Sequence, residues 1–345
     1  MMDWTRRAVV GAGLMAAGAA GNSAMAATSD ARASASKDAA RIDVHQHLLP
    51  PEFLAALERH GLSAQWAPVT WSLEGALAMM DDHQIATGIL SLSAPGPHLG
   101  DNAEGRALTL QVNEHQAALV QHRPDRFGMF ASVPLADIDG SLEAIAHAYD
   151  HLATDGVILM ANTHGVYLGD PTFDPIMEEL NRRRAVVLVH PTQLVGPPAK
   201  GVRPSAVDFL LDTTRAAVSM AFNNVPRRYP DIKMILAHAG GFIPYAAYRI
   251  ATQSNVPDSA AMLDTLSGFY FDVALSASPT VLPALLPFAK PGHVLFGSDS
   301  PYCSSKTVGF FADYLDSYTG LDAAGHHRVN RLNAEALFPR LARRS

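Results

Sequence analysis

Five side chains able to bind a metal or move a proton fall at the ends of apolar segments. RIDVHQHLLPPEF, residues 41–53, carries His45 and His47 one residue apart. AVVLVH ends in His190, IKMILAH ends in His238, and HVLFGSD ends in Asp299. Along an extended strand, successive side chains point to opposite faces, so His45 and His47 share a side. Two imidazoles aimed the same way can share one ion. Neutral imidazoles with a carboxylate suit Zn²⁺, with Mn²⁺ or Fe²⁺ as the other divalent choices. Taken singly, each residue has an ordinary structural use, as a hydrogen-bonded strand end or a loop cap. Their recurrence at the ends of separate apolar runs is what points to a metal site.

The runs that carry them alternate with amphipathic stretches. Strands are predicted at 42–47, 88–93, 127–133, 156–161, 185–190, 232–238, 269–274 and 293–299. Helices are predicted at 72–84, with Ser72 as N-cap, and at 102–122, 141–153, 173–184, 205–225, 243–253 and 278–289. Apolar strands alternating with helices require a parallel sheet covered on its outer face. Eight such strands predict an α/β fold, a closed (β/α)8 barrel in a single domain, with extra helices after residue 307. Such barrels carry their chemistry at the C-terminal ends of the strands, which is where the five residues sit. No Gly-x-Gly-x-x-Gly follows the first strand, against a dinucleotide fold. None of the lysines 37, 200, 233, 290 and 306 ends a strand, so a carboxylated lysine bridging two ions is unavailable and one metal is expected.

The formal charge of −7 is spread without runs of one sign, which argues against nucleic acid or an anionic membrane as partner. The single cysteine, Cys303, excludes an intrachain disulfide. Residues 1–26 read as a twin-arginine signal peptide: Arg6 and Arg7, an apolar run from Ala8 to Ala20, and Ala24-Met25-Ala26 as cleavage site. Residues 27–40 read as a polar, disordered linker, and residues 41–345 as the barrel. The expectation is export to the periplasm, with no membrane attachment after cleavage.

D-V-H-Q-H-L-L-P-P (43–51), Y-L-G-D-P-T-F-D-P (167–175), V-H-P-T (189–192), A-H-A-G-G (237–241) and F-G-S-D-S-P-Y (296–302) together resemble the amidohydrolase superfamily. More closely they resemble its branch of metal-dependent non-oxidative decarboxylases, which includes aminocarboxymuconate-semialdehyde, γ-resorcylate, 5-carboxyvanillate and 6-methylsalicylate decarboxylases. The resemblance implies that His45, His47, His190 and Asp299 ligate the metal, and that His238 acts on the substrate or the metal-bound water. It further implies a homodimer in which Arg249 crosses the interface to hold the substrate carboxylate. One feature departs from the aminocarboxymuconate pattern: between Arg41 and Arg106 the only arginine is Arg59, inside the early helix, and the loop beyond it holds Trp66 and Trp71. An aromatic monocarboxylate stacked on indole fits this better than a dicarboxylate. Tyr302 and His164 complete the candidate substrate contacts, and Asp272 is read as a hydrogen-bonding residue of the rim.

The function implied is decarboxylation of a small hydroxybenzoate-type acid, 6-methylsalicylate-like. The acid that protonates the ring carbon is either Asp299 or His238. The alternative is hydrolysis of a lactone or amide by the same site. A third reading, a metal- or ligand-binding protein without catalysis, would need a closed metal shell that four ligands and a free histidine do not supply.

Overall fold

The computed structural model describes residues 41–254 and 258–342. The signal peptide and linker expected before residue 41 lie outside the described residues. Ten strands follow in chain order: β1 Arg41–Leu48, β2 Ile85–Leu92, β3 Phe127–Ser132, β4 Gly156–Met160, β5 Asn162–Thr163, β6 Val166–Tyr167, β7 Val186–His190, β8 Lys233–Leu236, β9 Tyr270–Asp272 and β10 Val294–Leu295. Eight of them form one sheet in the order β1-β2-β3-β4-β7-β8-β9-β10, and every pairing in it is parallel. The ends meet where Val44 N–H donates to Phe296 O at 3.0 Å, Asp299 N–H to His45 O at 2.8 Å and His47 N–H to Ser300 O at 2.7 Å. This is the expected (β/α)8 barrel. The β5–β6 hairpin, absent from the expectation, is an antiparallel excursion after β4.

Two apolar layers follow from the alternation of side chains along the strands. Val187 and Val189 of β7 pack outward with helix residues such as Met80, Ile145, Ile176 and Met220. Val186 and Leu188 of the same strand join Ile89, Phe130, Ile158, Ile235 and Leu295 in a second cluster inside the barrel. His190 continues the parity of Val186 and Leu188. Helices start where local chemistry satisfies their free N–H groups. Ser72 caps Leu73–Asp82 by accepting from Gly75, and Asp101 caps Asn102–His122 by accepting from Glu104. After the last strand come helices Ser305–Asp316 and Ala323–His327, the latter running on through Arg328–Leu332 to Leu337. Among the described residues, no helix is long and apolar enough to cross a membrane.

Two details correct the sequence reading. The bend before Trp66 is not simple loop but a short helix, Ser63–Trp66. His238 and Asp299 also lie beyond their strands rather than at the final positions, since β8 stops at Leu236 and β10 at Leu295. The backbone at His238, Ala239 and Asp299 has turned to φ of 56°, 58° and 59°, a left-handed region incompatible with an extended strand.

Candidate metal centre

The site begins with an irregularity in β1. Its pairing with β2 shifts register between Asp43 and Gln46, a bulge that changes which face the following residues present. Ile42 and Val44 belong to the interior cluster, yet Leu48 packs in the outer layer. His45 and His47 therefore both face the mouth of the barrel, where His190 arrives from β7. Their rings meet edge to face, with centroids 4.9 Å apart for His45–His47, 4.8 Å for His47–His190 and 5.2 Å for His45–His190.

One ligand atom from each of His45, His47, His190 and Asp299 lies within 4.8 Å of the others, and all four residues are buried. His45 Nε2 and His47 Nε2 are 3.1 Å apart. Asp299 Oδ1 is 3.2 Å from His47 Nε2 and 3.5 Å from His45 Nε2. Zinc–nitrogen bonds of about 2.0–2.1 Å at a tetrahedral angle separate two nitrogens by about 3.3 Å, so the spacing fits one ion.

The outer nitrogens agree with that fit. His45 Nδ1 donates to Asp272 Oδ2 at 3.0 Å, and His190 Nδ1 donates to Pro191 O at 2.7 Å. His47 Nδ1 faces both Ser91 Oγ, at 3.0 Å, and Ser91 O, at 3.3 Å. Donation to these acceptors leaves each Nε2 lone pair turned inward, the arrangement that metal-ligating histidines adopt. Burial lowers the pKa of His47, and burial with the neighbouring His47 and His45 holds His190 well below the ordinary histidine range. Burial also opposes charge on His45, but Asp272 and Asp299 outweigh it and draw that pKa up to about 9. Burial likewise works against ionised Asp299, yet His238, His47 and His45 together hold it well below the usual carboxylate range. Asp272 and Asp299 thus favour positive charge at His45.

His238 stands beside this group. Its Nε2 is 3.3 Å from Asp299 Oδ2, and its buried Nδ1 has no hydrogen-bond partner among the described residues. Tyr302 packs its ring 5.5 Å from that of His47, and its hydroxyl donates to Trp66 O at 2.8 Å. Trp66 is buried, and Trp71 is partly buried against the core, its indole N–H without a partner among the described residues. His164 is exposed at the turn between β5 and β6, its ring 6.5 Å from that of His98. Arg249 is exposed on helix Ile243–Thr252.

Several supporting residues were invisible in the sequence. Asp43 is fully buried, accepts from Ser298 Oγ at 2.5 Å and Ser298 N–H at 3.0 Å, and so ties β1 to the segment that carries Asp299. Burial pushes its pKa up to about 7. Ser91 carries no local signal of contact with His47. Gln65 Nε2 donates to Gln193 Oε1 at 3.2 Å, joining helix Ser63–Trp66 to the loop after β7.

Comparison with known proteins accords with this geometry. The amidohydrolase family pattern matches residues 42–340. The chain is 37% identical over 315 residues to 6-methylsalicylic acid decarboxylase of Penicillium expansum, covering 88% of this chain and 97% of that protein. It is 37% identical over 320 residues to 6-methylsalicylic acid decarboxylase of Aspergillus aculeatus, again covering 88% of this chain and 97% of the other. A crystal structure of an amidohydrolase II superposes with a TM-score of 0.79 at 30% identity, over 87% of this chain and 99% of that one. Fold, family pattern and relatives agree that the chain belongs to the amidohydrolase family and is an enzyme of that superfamily.

Proposed function

We propose that the protein is a metal-dependent non-oxidative decarboxylase of a small hydroxylated aromatic acid, with 6-methylsalicylate as the nearest substrate type. His45, His47, His190 and Asp299 would hold a single divalent ion, Zn²⁺ by the nitrogen-rich donor set, with Mn²⁺ as the alternative. When bound, the ion supplies a Lewis acid that orients the carboxylate and an ortho hydroxyl and withdraws charge. The two relatives at 37% identity, both named 6-methylsalicylic acid decarboxylases, support the substrate class.

The observation that carries the reading is the contact between His238 Nε2 and Asp299 Oδ2, 3.3 Å apart in a buried site. A proton held between them sits at the edge of the metal cluster. Decarboxylation needs that proton at the ring carbon bearing the carboxylate: the new C–H bond forms first, then the C–CO₂ bond breaks and its electron pair restores aromaticity. His238 or Asp299 is the donor, and the pair regains the proton it has given from solvent after CO₂ has left. Trp66 and Tyr302 would flank the ring, with Trp71 and His164 further out along the entrance.

Arg249 would meet the substrate carboxylate from a second copy. Its exposure beside Tyr245 and Tyr248, at 91% and 75% exposed, supports a homodimer formed through this helix. Residues 1–26 would direct twin-arginine export to the periplasm, with 27–40 as linker. The test is CO₂ release from 6-methylsalicylate and related hydroxybenzoates by the metal-loaded protein. Acid release from lactones or amides without CO₂ from any hydroxybenzoate would instead establish a hydrolase.

A further inference from the structure

We infer that Asp272 is a positioning residue that couples the ligand His45 to the free histidine His238, an inference that rests on the metal reading above. Asp272 ends β9 and has no exposed surface. Its two oxygens are divided between the two histidines. Oδ2 accepts from His45 Nδ1 at 3.0 Å. Oδ1 accepts from the His238 N–H and from the Ala274 N–H, each at 3.0 Å.

A carboxylate in this place can only accept, so each bond has a directional consequence. At His45 it requires the proton on Nδ1 and leaves the Nε2 lone pair for the ion. At His238 it anchors the peptide at the residue whose φ turns to 56°, the turn that brings the imidazole to Asp299. One buried side chain thereby sets the tautomer of a ligand and the backbone of the proton-handling residue. Asp299 reaches the inner nitrogens of both histidines, whereas Asp272 holds them from outside, at His45 Nδ1 and at the His238 N–H.

Asp272→Asn separates the two bonds. The amide oxygen satisfies both backbone N–H groups only if the NH₂ then faces His45 Nδ1. That forces Nδ1 to accept and moves the His45 proton to Nε2, against the ion. The expected result is a Zn²⁺ affinity, read by competition with a chromophoric chelator, about 10- to 100-fold weaker than that of the wild type. Circular dichroism and the unfolding midpoint of the metal-free protein report whether the fold is kept. A purely structural residue would lower that midpoint and leave the Kd of the folded protein unchanged, and an unchanged Kd overturns the inference. His47→Ala serves as the control. If it abolishes binding while Asp272→Asn does not, the coupling fails and the metal site stands; if neither alters binding, the metal reading itself fails. Should Asp272→Asn not fold, the wild-type zinc protein decides. The His45 Nδ1 proton should then exchange slowly and resonate far downfield, and exchange at the rate of a free imidazole N–H would overturn the assignment.

Discussion

Asp299 and His238 are joined by one carboxylate oxygen, Oδ2 lying 3.3 Å from Nε2, while the other oxygen turns to His47 at 3.2 Å. The same carboxylate therefore joins the candidate ion cluster to His238, its partner in the proton-handling pair proposed above. Removing either partner should stop chemistry without necessarily emptying the site. His238→Asn is expected to lower kcat by about 10²- to 10⁴-fold with the metal retained. Steady-state kinetics beside metal analysis checks this, and wild-type turnover in metal-loaded His238→Asn would refute the role.

Chelation should abolish activity and lower the unfolding midpoint. An ion that binds only the folded chain stabilises it by about 2.7 kcal/mol at a concentration of 100 Kd. Re-addition of Zn²⁺ or Mn²⁺ should restore both properties in the wild type but not in His190→Ala. Atomic absorption of dialysed protein is the direct measure.

Tyr302→Phe removes the hydroxyl that donates to Trp66 O. The loss frees the helix Ser63–Trp66 and leaves one buried carbonyl without its partner, at a cost of about 1–3 kcal/mol. The effect should appear as a KM raised roughly tenfold or more, with the metal content unchanged. A fall in kcat at constant KM would instead place the hydroxyl in the chemistry.

Arg249 is exposed on helix Ile243–Thr252, and the proposed dimer gives it a carboxylate to meet in a second copy. Arg249→Ala and Asp299→Asn should each be inactive as pure proteins. Refolded together, they should regain activity in mixed dimers, where an intact metal site meets an intact Arg249. No recovery in a mixture shown by sedimentation to contain dimers would exclude the shared site.

Glu179 gives a pH effect away from the chemistry. The bond from Arg182, aided by Arg183 and only partly opposed by burial, holds its pKa down to about 2. A carboxylate with a depressed folded pKa stabilises fully above its unfolded value, near 4.5, and that stabilisation is lost as pH falls towards 2. Because Arg182 is mostly exposed to solvent and Glu179 partly so, the effect should be small. Glu179→Gln should flatten the loss of urea resistance across this window and leave it unchanged near neutrality.

The sequence by itself determined the barrel and most of the candidate ligand set. Strand runs such as AVVLVH are apolar on both faces, which only a covered parallel sheet accommodates, and a period of two puts His45 beside His47 whatever surrounds them. Tertiary structure decided the rest. The β1 bulge that turns this pair inward depends on pairing with β2, and no residue between Asp43 and Gln46 announces it. The left-handed turns at His238 and Asp299 are held by partners distant in the chain: Asp272 accepts from the His238 N–H, and the Asp299 N–H reaches His45 O. Asp272 itself reads locally as one polar residue in FYFDVA, and only closure of the ring brings its carboxylate to an imidazole 227 positions earlier. Periodicity records which face a side chain takes; which distant group it meets there depends on strand order and register, and these form only when the sheet closes.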